Sequence, residues 1–362
     1  RMWVADMEFG VAPEILDELR KRIDRRIFGY TGVYTHDYYN SFSKWCKEHY
    51  DWSFPEEELC FTPGIIPALY QLTETLCNKD EKVLMNTPAY GYFLHSAEYA
   101  GVDVLQSPLK KKPDGTFELD YENFEQQCAN PQCKMVFWCN PQNPTGRMWT
   151  EEELRRIAGI VEKYNLWIVS DEIHCDLIRC GRKHIPMAKV MTNYPKLITC
   201  MAPSKTFNLA GLAFSNIIIR DPVLRERFKE RDKLFGMVNP MSLTAAKAAY
   251  DKGGAWHEEL KQYLDANFAF VKDFFDKNLP DAVMYIPEAT YLAWVDLSKC
   301  LPDVEDLPDF FANKAGVLLE GGNGLFVGNA AGYIRLNLAM PRSILKTGLE
   351  RMRDTINAHN KH

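Results

Sequence analysis

Along the chain, short continuous apolar runs alternate with stretches in which apolar positions return every three or four residues. The runs Lys82–Asn86, Lys134–Cys139, Leu166–Ser170, Leu197–Met201 and Phe214–Ile219 predict strands buried on both faces. Helical spacing lies between several of them. Thr150-Glu151-Glu152-Glu153 sets an acid three residues after a hydroxyl, a capping box, and Leu154, Ile157, Ile160 and Val161 then share one face. Strands interleaved with helices predict an α/β fold, a mostly parallel sheet flanked by helices. From Pro240 to about Asn278 the pattern predicts long helices, broken near Gly253-Gly254. Beyond Pro280 the order becomes strand (Tyr291–Leu297), helix (Asp306–Ala315), strand (Gly332–Leu336) and helix (Ser343–Asn357). That change of rhythm predicts a large domain over residues 29-258 and a smaller α+β domain from residues 1-28 and 259-362.

Composition narrows the class. At 362 residues, with 46% hydrophobic and 25% charged positions, the chain is globular and long enough for two domains. A formal net charge of −6 argues against nucleic acid or a membrane surface as partner, since either calls for a basic face. No apolar run approaches the ~20 residues that span a bilayer. The opening Arg1-Met2-Trp3-Val4 lacks the apolar core and small-residue cleavage site of a secretory leader. With no initiator at position 1, the intact chain is expected to begin earlier.

The ten cysteines form no Cys-x-x-Cys pair; Cys128/Cys133 and Cys175/Cys180 are each four residues apart. They predict small buried hydrophobes in a reducing compartment, hence the cytoplasm, and no metal site. His184 and His257 are expected at the surface, and Lys110-Lys111-Lys112 in a solvated hairpin-like turn. The tyrosines Tyr30, Tyr34, Tyr38 and Tyr39 fit either an active-site mouth or the packing of a subunit interface.

Open α/β sheets bind ligands beyond the carboxyl ends of their strands, so the residues there carry the chemistry. After Lys134–Cys139 comes Asn140-Pro141-Gln142-Asn143-Pro144-Thr145-Gly146, a loop stiffened by two Asn-Pro steps. After Leu166–Ser170 comes Asp171-Glu172-Ile173-His174. An acid there needs a partner, which a protonated ring nitrogen would supply, though a helix N-cap accounts for it equally well. After Leu197–Met201 comes Ala202-Pro203-Ser204-Lys205-Thr206-Phe207-Asn208. Lys205 is either a solvated charge or an amine with lowered proton affinity, able to form a Schiff base.

These three motifs, in this order and spacing, resemble the fold-type I pyridoxal-phosphate enzymes of the class I/II aminotransferase superfamily. The resemblance runs over essentially the whole chain and implies an aspartate aminotransferase-like fold with pyridoxal 5′-phosphate as cofactor. It implies that Lys205 carries the cofactor covalently, that Asp171 keeps its ring nitrogen protonated, and that Asn143 bonds its phenolic oxygen. Tyr90 would stack on the ring and counts with Lys205 and Asp171 among the catalytic groups. Gly64, Ile65 and Ile66 would cradle the phosphate with backbone N–H groups, helped by Ser204. Arg335 matches the fork that grips the substrate α-carboxylate, with Asn143, Ala5 and Asp6 also on the substrate side. Tyr30 matches a tyrosine that reaches the neighbouring subunit's phosphate, which implies a homodimer.

Three positions depart from the common aminotransferase pattern. His174, counted here with the cofactor-binding residues, stands where Tyr is frequent. Ala202 and Ala213 stand where a phosphate-binding Ser and Arg are usual. With Trp3-Val4-Ala5-Asp6-Met7-Glu8-Phe9 and Thr290-Tyr291-Leu292-Ala293-Trp294, they resemble the MalY/PatB branch of cystathionine β-lyases and cystalysin-like carbon–sulfur lyases. The implied reaction is β-elimination from a sulfur amino acid, L-cystathionine giving homocysteine, pyruvate and ammonia. Two alternatives stand beside it: amino transfer to a 2-oxo acid on the same scaffold, and a regulatory protein that binds a transcription factor.

Overall fold

A computed structural model describes residues 1–32, 36–232 and 237–361. Its main sheet has seven strands, in the order Leu59–Thr62, Ser215–Ile219, Leu197–Met201, Trp167–Asp171, Cys133–Cys139, Lys82–Thr87 and Asp103–Pro108. The last five run parallel. Ser215–Ile219 is antiparallel to both its neighbours. Each apolar run read as a strand is one, its ends shifted by a residue at most. In the strand Cys133–Cys139, Met135, Val136, Phe137 and Trp138 are all fully buried, as a run without alternation requires.

The helix Glu151–Lys163 starts at the capping box. The Thr150 hydroxyl accepts from the Glu153 amide at 3.2 Å, and the Glu153 carboxylate accepts from the Thr150 amide at 2.9 Å. Leu154, Ile157, Ile160 and Val161 are buried against the sheet's core. The helices Pro240–Lys252 and Gly254–Asn278 meet at Gly253, where the periodicity breaks.

A second sheet, wholly antiparallel, has the order Val283–Met284, Leu292–Asp296, Tyr333–Asn337, Glu320–Gly321. The helices Leu307–Ala315 and Arg342–His359 share its core through Leu307, Phe311, Leu345, Leu349 and Met352. Gly254–Asn278 links the two cores as one continuous rod: Trp256 packs on the large one, Phe268, Val271 and Phe275 lie in the small one. At the amino end, Met2 joins the small core, whereas Ala12 and Ile15 join the large one.

Several local expectations need correction. His184 and His257 are buried, not at the surface, because each ring finds an internal partner, 12 and 81 residues away respectively. His184 Nε2 lies 2.6 Å from the Glu172 carboxylate, and His257 Nε2 2.7 Å from the Asp176 carbonyl. Tyr38 belongs to the core, edge-on to Phe61 and Phe214, with its hydroxyl donating to Asn216 Oδ1 at 2.8 Å. The Tyr39 hydroxyl donates to the Phe54 carbonyl at 2.6 Å. Neither lines a mouth. Tyr34 lies outside the described residues.

Lys110–Lys111 does form a hairpin with Phe117–Glu118, and the Lys111 ammonium ion-pairs with Asp296. All ten cysteines are free and most are buried; Cys180 is exposed. Among the described residues no helix is long and apolar enough to cross a membrane, and no His/Cys/Asp/Glu group could hold a metal ion.

Candidate active site

The parallel strands deliver their carboxyl ends to one edge, and the motif residues follow directly. Lys82–Thr87 leads to Tyr90, Cys133–Cys139 to Asn143, and Leu59–Thr62 to Gly64; Trp167–Asp171 ends on Asp171 itself. Leu197–Met201 leads into the short helix Pro203–Thr206, which presents Ser204 and Lys205. All of these side chains or backbones line one cavity of about 420 Å³, together with His174, Ile65 and Ile66. Ala5, Glu320 and Arg335 close it from the small-sheet side.

Asp171 is buried and accepts one bond, from the Ile173 amide at 3.1 Å. Burial lifts its carboxyl to about 7, and the Glu172 charge adds to this, against the Ile173 amide and the Lys205 charge. No cation pairs with it among the described residues. Lys205 points inward and donates to the Ala5 carbonyl at 2.7 Å. Burial lowers its proton affinity, as does the Arg335 charge; Asp6 and Asp171 oppose. Asp6 thus acts on the amine through its charge, although it does not line the cavity.

His174 is neutral at physiological pH, since burial and the Lys205 and Arg335 charges push its imidazole down to about 3. Its Nδ1 is buried without a hydrogen-bond partner. Burial pushes the Tyr90 phenol up to about 12, so it stays protonated.

Arg335 is drawn into the site by Tyr333–Asn337, and burial pulls its guanidinium down to about 10, still cationic at neutral pH. Nη1 donates to Asn143 Oδ1 at 3.1 Å and Nη2 to the Trp3 carbonyl at 3.3 Å. The same fork ion-pairs with Glu320, its partner across the strand register. Both ends of the guanidinium therefore already have protein acceptors.

The segment from Trp3 to Phe9 straps over these groups. Asn208, from the Lys205 loop, accepts from the Met7 amide at 3.0 Å and donates to the Met7 and Phe9 carbonyls at 3.1 Å each. From the small sheet, Asn337 donates to the Val4 carbonyl at 2.7 Å and to that of Asp6. The Tyr291 hydroxyl donates to the Ala5 carbonyl at 2.6 Å, sharing that acceptor with Lys205.

Gly64 is the N-cap of the 12-residue helix Ile65–Leu76, whose first-turn amides lack helical acceptors and lie beside the cavity. That is a ready seat for an anion. Ala202 is buried and offers only its backbone; Ala213 sits at φ +48°. Tyr30 is 96% exposed and reaches no part of this chain's own cavity. Glu320 lies in no motif, and Tyr291, although inside one, carried no expected role. Both lie in ordinary-looking strand text, and only pairing across the sheet brings them to Arg335 and Ala5.

The described groups suit a flat ring with a cationic nitrogen against Asp171, an electrophilic carbon against Lys205 and an anionic arm at Gly64. The model of one protein family, aminotransferase class I and II, matches residues 4–352. The chain belongs to that family. Within it, the chain is 36% identical to cystathionine β-lyase PatB of Bacillus subtilis, over 97% of this chain and 91% of PatB. Against protein MalY of Escherichia coli the figures are 31%, 98% and 91%. A PLP-bound C–S lyase from Staphylococcus hominis superposes with a TM-score of 0.95 at 43% identity, over 98% of this chain and 91% of that one. The fold of this aminotransferase-family chain is therefore the one its motifs imply.

Proposed function

We propose that this chain is a pyridoxal 5′-phosphate-dependent carbon–sulfur β-lyase that converts L-cystathionine and water to homocysteine, pyruvate and ammonia. The observation that carries the reading is a matched pair in one cavity: a buried carboxyl group, Asp171, paired with no cation among the described residues, and a buried amine of lowered proton affinity, Lys205. Relatives named as lyases over nearly the full length support the same chemistry.

When bound, the cofactor supplies an electron sink for the negative charge that develops at the substrate Cα. Lys205 would hold it covalently, and its amine, when free of that bond, is the group placed to take up the Cα proton. Its lowered proton affinity is what this task requires. Asp171 holds the ring nitrogen's proton. A cation there would in turn relieve the burial that lifts the carboxyl to about 7. Tyr90 would pack on the ring and Asn143 would meet its oxygen, while neutral His174 adds bulk without charge. The amides of Gly64, Ile65 and Ile66, with Ser204 and Tyr30 of the partner subunit, would receive the phosphate. A homodimer in the cytoplasm belongs to this reading.

Arg335 takes the α-carboxylate, with Ala5 and Asp6 alongside. Because Glu320 already pairs with this guanidinium, substrate binding is an exchange of one carboxylate for another. Glu320→Gln keeps the shape and removes the competing charge. It is expected to lower KM for L-cystathionine by roughly threefold to tenfold with kcat little changed, read from initial rates. A raised KM would show that Glu320 holds the fork open instead.

The reading is tested by pyruvate release from L-cystathionine by the purified yellow protein, without any keto acid. Steady pyruvate supports the lyase. No pyruvate, with amino transfer appearing once a keto acid is added, leaves an aminotransferase.

A further inference from the structure

We propose that Asp176 is a positioning residue that acts through Thr206 to fix Lys205 relative to Asp171, an inference that rests on the role of Lys205 given above. Asp176 lies five residues beyond Asp171, in the turn Cys175–Leu177, and is buried behind the cavity rather than lining it. Its Oδ2 accepts from the Thr206 hydroxyl at 2.7 Å, and Thr206 is the residue after Lys205. Its Oδ1 accepts from Trp45 Nε1 at 2.8 Å and from the Tyr50 hydroxyl. Its backbone carbonyl faces His257 Nε2.

Four segments thus meet on one side chain and its own carbonyl: the Asp171 loop, the Lys205 turn, the helix His36–Tyr50 and the helix Gly254–Asn278. No Lys or Arg pairs with Asp176 among the described residues. For stability alone, a buried carboxylate held only by neutral donors is a poor choice, and apolar packing would do as well. What it supplies is direction, because each donor must aim at a fixed oxygen.

The Lys205 turn needs such a fixture. Pro203–Thr206 is only four residues long, closed by the Phe207 amide on the Pro203 carbonyl at 2.9 Å. The backbone ties it to the Asp171 strand at its base, where the Glu172 amide meets the Cys200 carbonyl at 2.8 Å. Beyond that point the Asp176–Thr206 bond is a direct side-chain tie between the two loops. The distance from the Lys205 amine to the Asp171 carboxyl is then set by this bond. Misplacement of a reacting group by a fraction of an ångström is slow chemistry, not weak binding.

The test uses the cofactor-loaded enzyme with Thr206→Val, Thr206→Ser, Asp176→Asn and the Val/Asn double variant. Thr206→Val keeps the shape and removes the hydroxyl. It is expected to lower kcat by about tenfold with KM for L-cystathionine within about twofold. The pH midpoint of the visible absorbance, which reports the Lys205 linkage itself, is expected to move by about half a unit or more. Thr206→Ser restores both. Asp176→Asn acts through the same bond, so the double variant is no slower than the slower single one. Wild-type kcat and midpoint in Thr206→Val overturn the proposal, whatever the melting temperature does. So do failure of Thr206→Ser to rescue and additive losses in the double variant. Lys205→Ala that still binds the cofactor covalently would instead overturn the role of Lys205.

Discussion

Lys205→Ala is expected to lower pyruvate release from L-cystathionine by about a thousandfold or more and to leave the protein without covalently held cofactor. Both losses have one cause. The same amine must hold the cofactor and then remove the Cα proton, while the two carboxyl groups of the described cavity are engaged, Asp171 in the role given above and Glu320 in its pair with Arg335. Of the other cavity residues, His174 is neutral but approaches protonation only near pH 3, so it is a very weak base. The Tyr90 phenol gives up its proton only near pH 12. The variant should still fold, because the Ala5 carbonyl keeps the Tyr291 hydroxyl as donor when Lys205 is truncated. Pyruvate formation, the absorbance of the dialysed protein and its melting curve together check this. Retained colour after dialysis, or activity within tenfold of wild type, would sink the assignment.

Asp171→Asn is expected to cost about two to three orders of magnitude in kcat, read from the same pyruvate assay. An amide cannot hold the ring nitrogen's proton, so charge developing at Cα is no longer drawn into the ring. The cofactor-free protein gives a second, independent reading. Burial raises the Asp171 carboxyl to about 7 in the fold, whereas in the unfolded chain it titrates at about 4. The folded state therefore binds the extra proton. Asp171 contributes fully below about pH 4, and that contribution is lost as pH rises toward about 7. Chemical denaturation between pH 4 and pH 8 should show this slope in the cofactor-free wild type, and Asp171→Asn should flatten it. A slope unchanged by the substitution would mean that other groups set it.

Much of this was legible in the sequence because the fold writes its ligand edge as strand-then-motif. A continuous apolar run such as Leu197–Met201 can only be buried on both faces, so the polar residues after it must sit at the sheet's rim. Lys205, Asp171 and Asn143 are found there together. The edge strand Asp103–Pro108 escaped notice because one side of it is open and its apolar positions are few. Glu320 and the Asp176 network escaped for another reason. Their meaning lies in partners 15 and 30 residues away, or in the case of Trp45, 131 away. The buried histidines failed likewise: His184 looks like surface text until Glu172 is seen beneath it.

The strap from Trp3 to Phe9 has one more consequence. The two groups that must meet small molecules, Lys205 and Arg335, each donate to carbonyls of the same short stretch, at Ala5 and Trp3. Long cationic side chains ordinarily wander among many rotamers, and halting one on binding costs roughly 0.5–1.5 kcal/mol. Here the wandering ends when the chain folds. An arriving ligand finds both chains already still, and loses none of its affinity to quieting them.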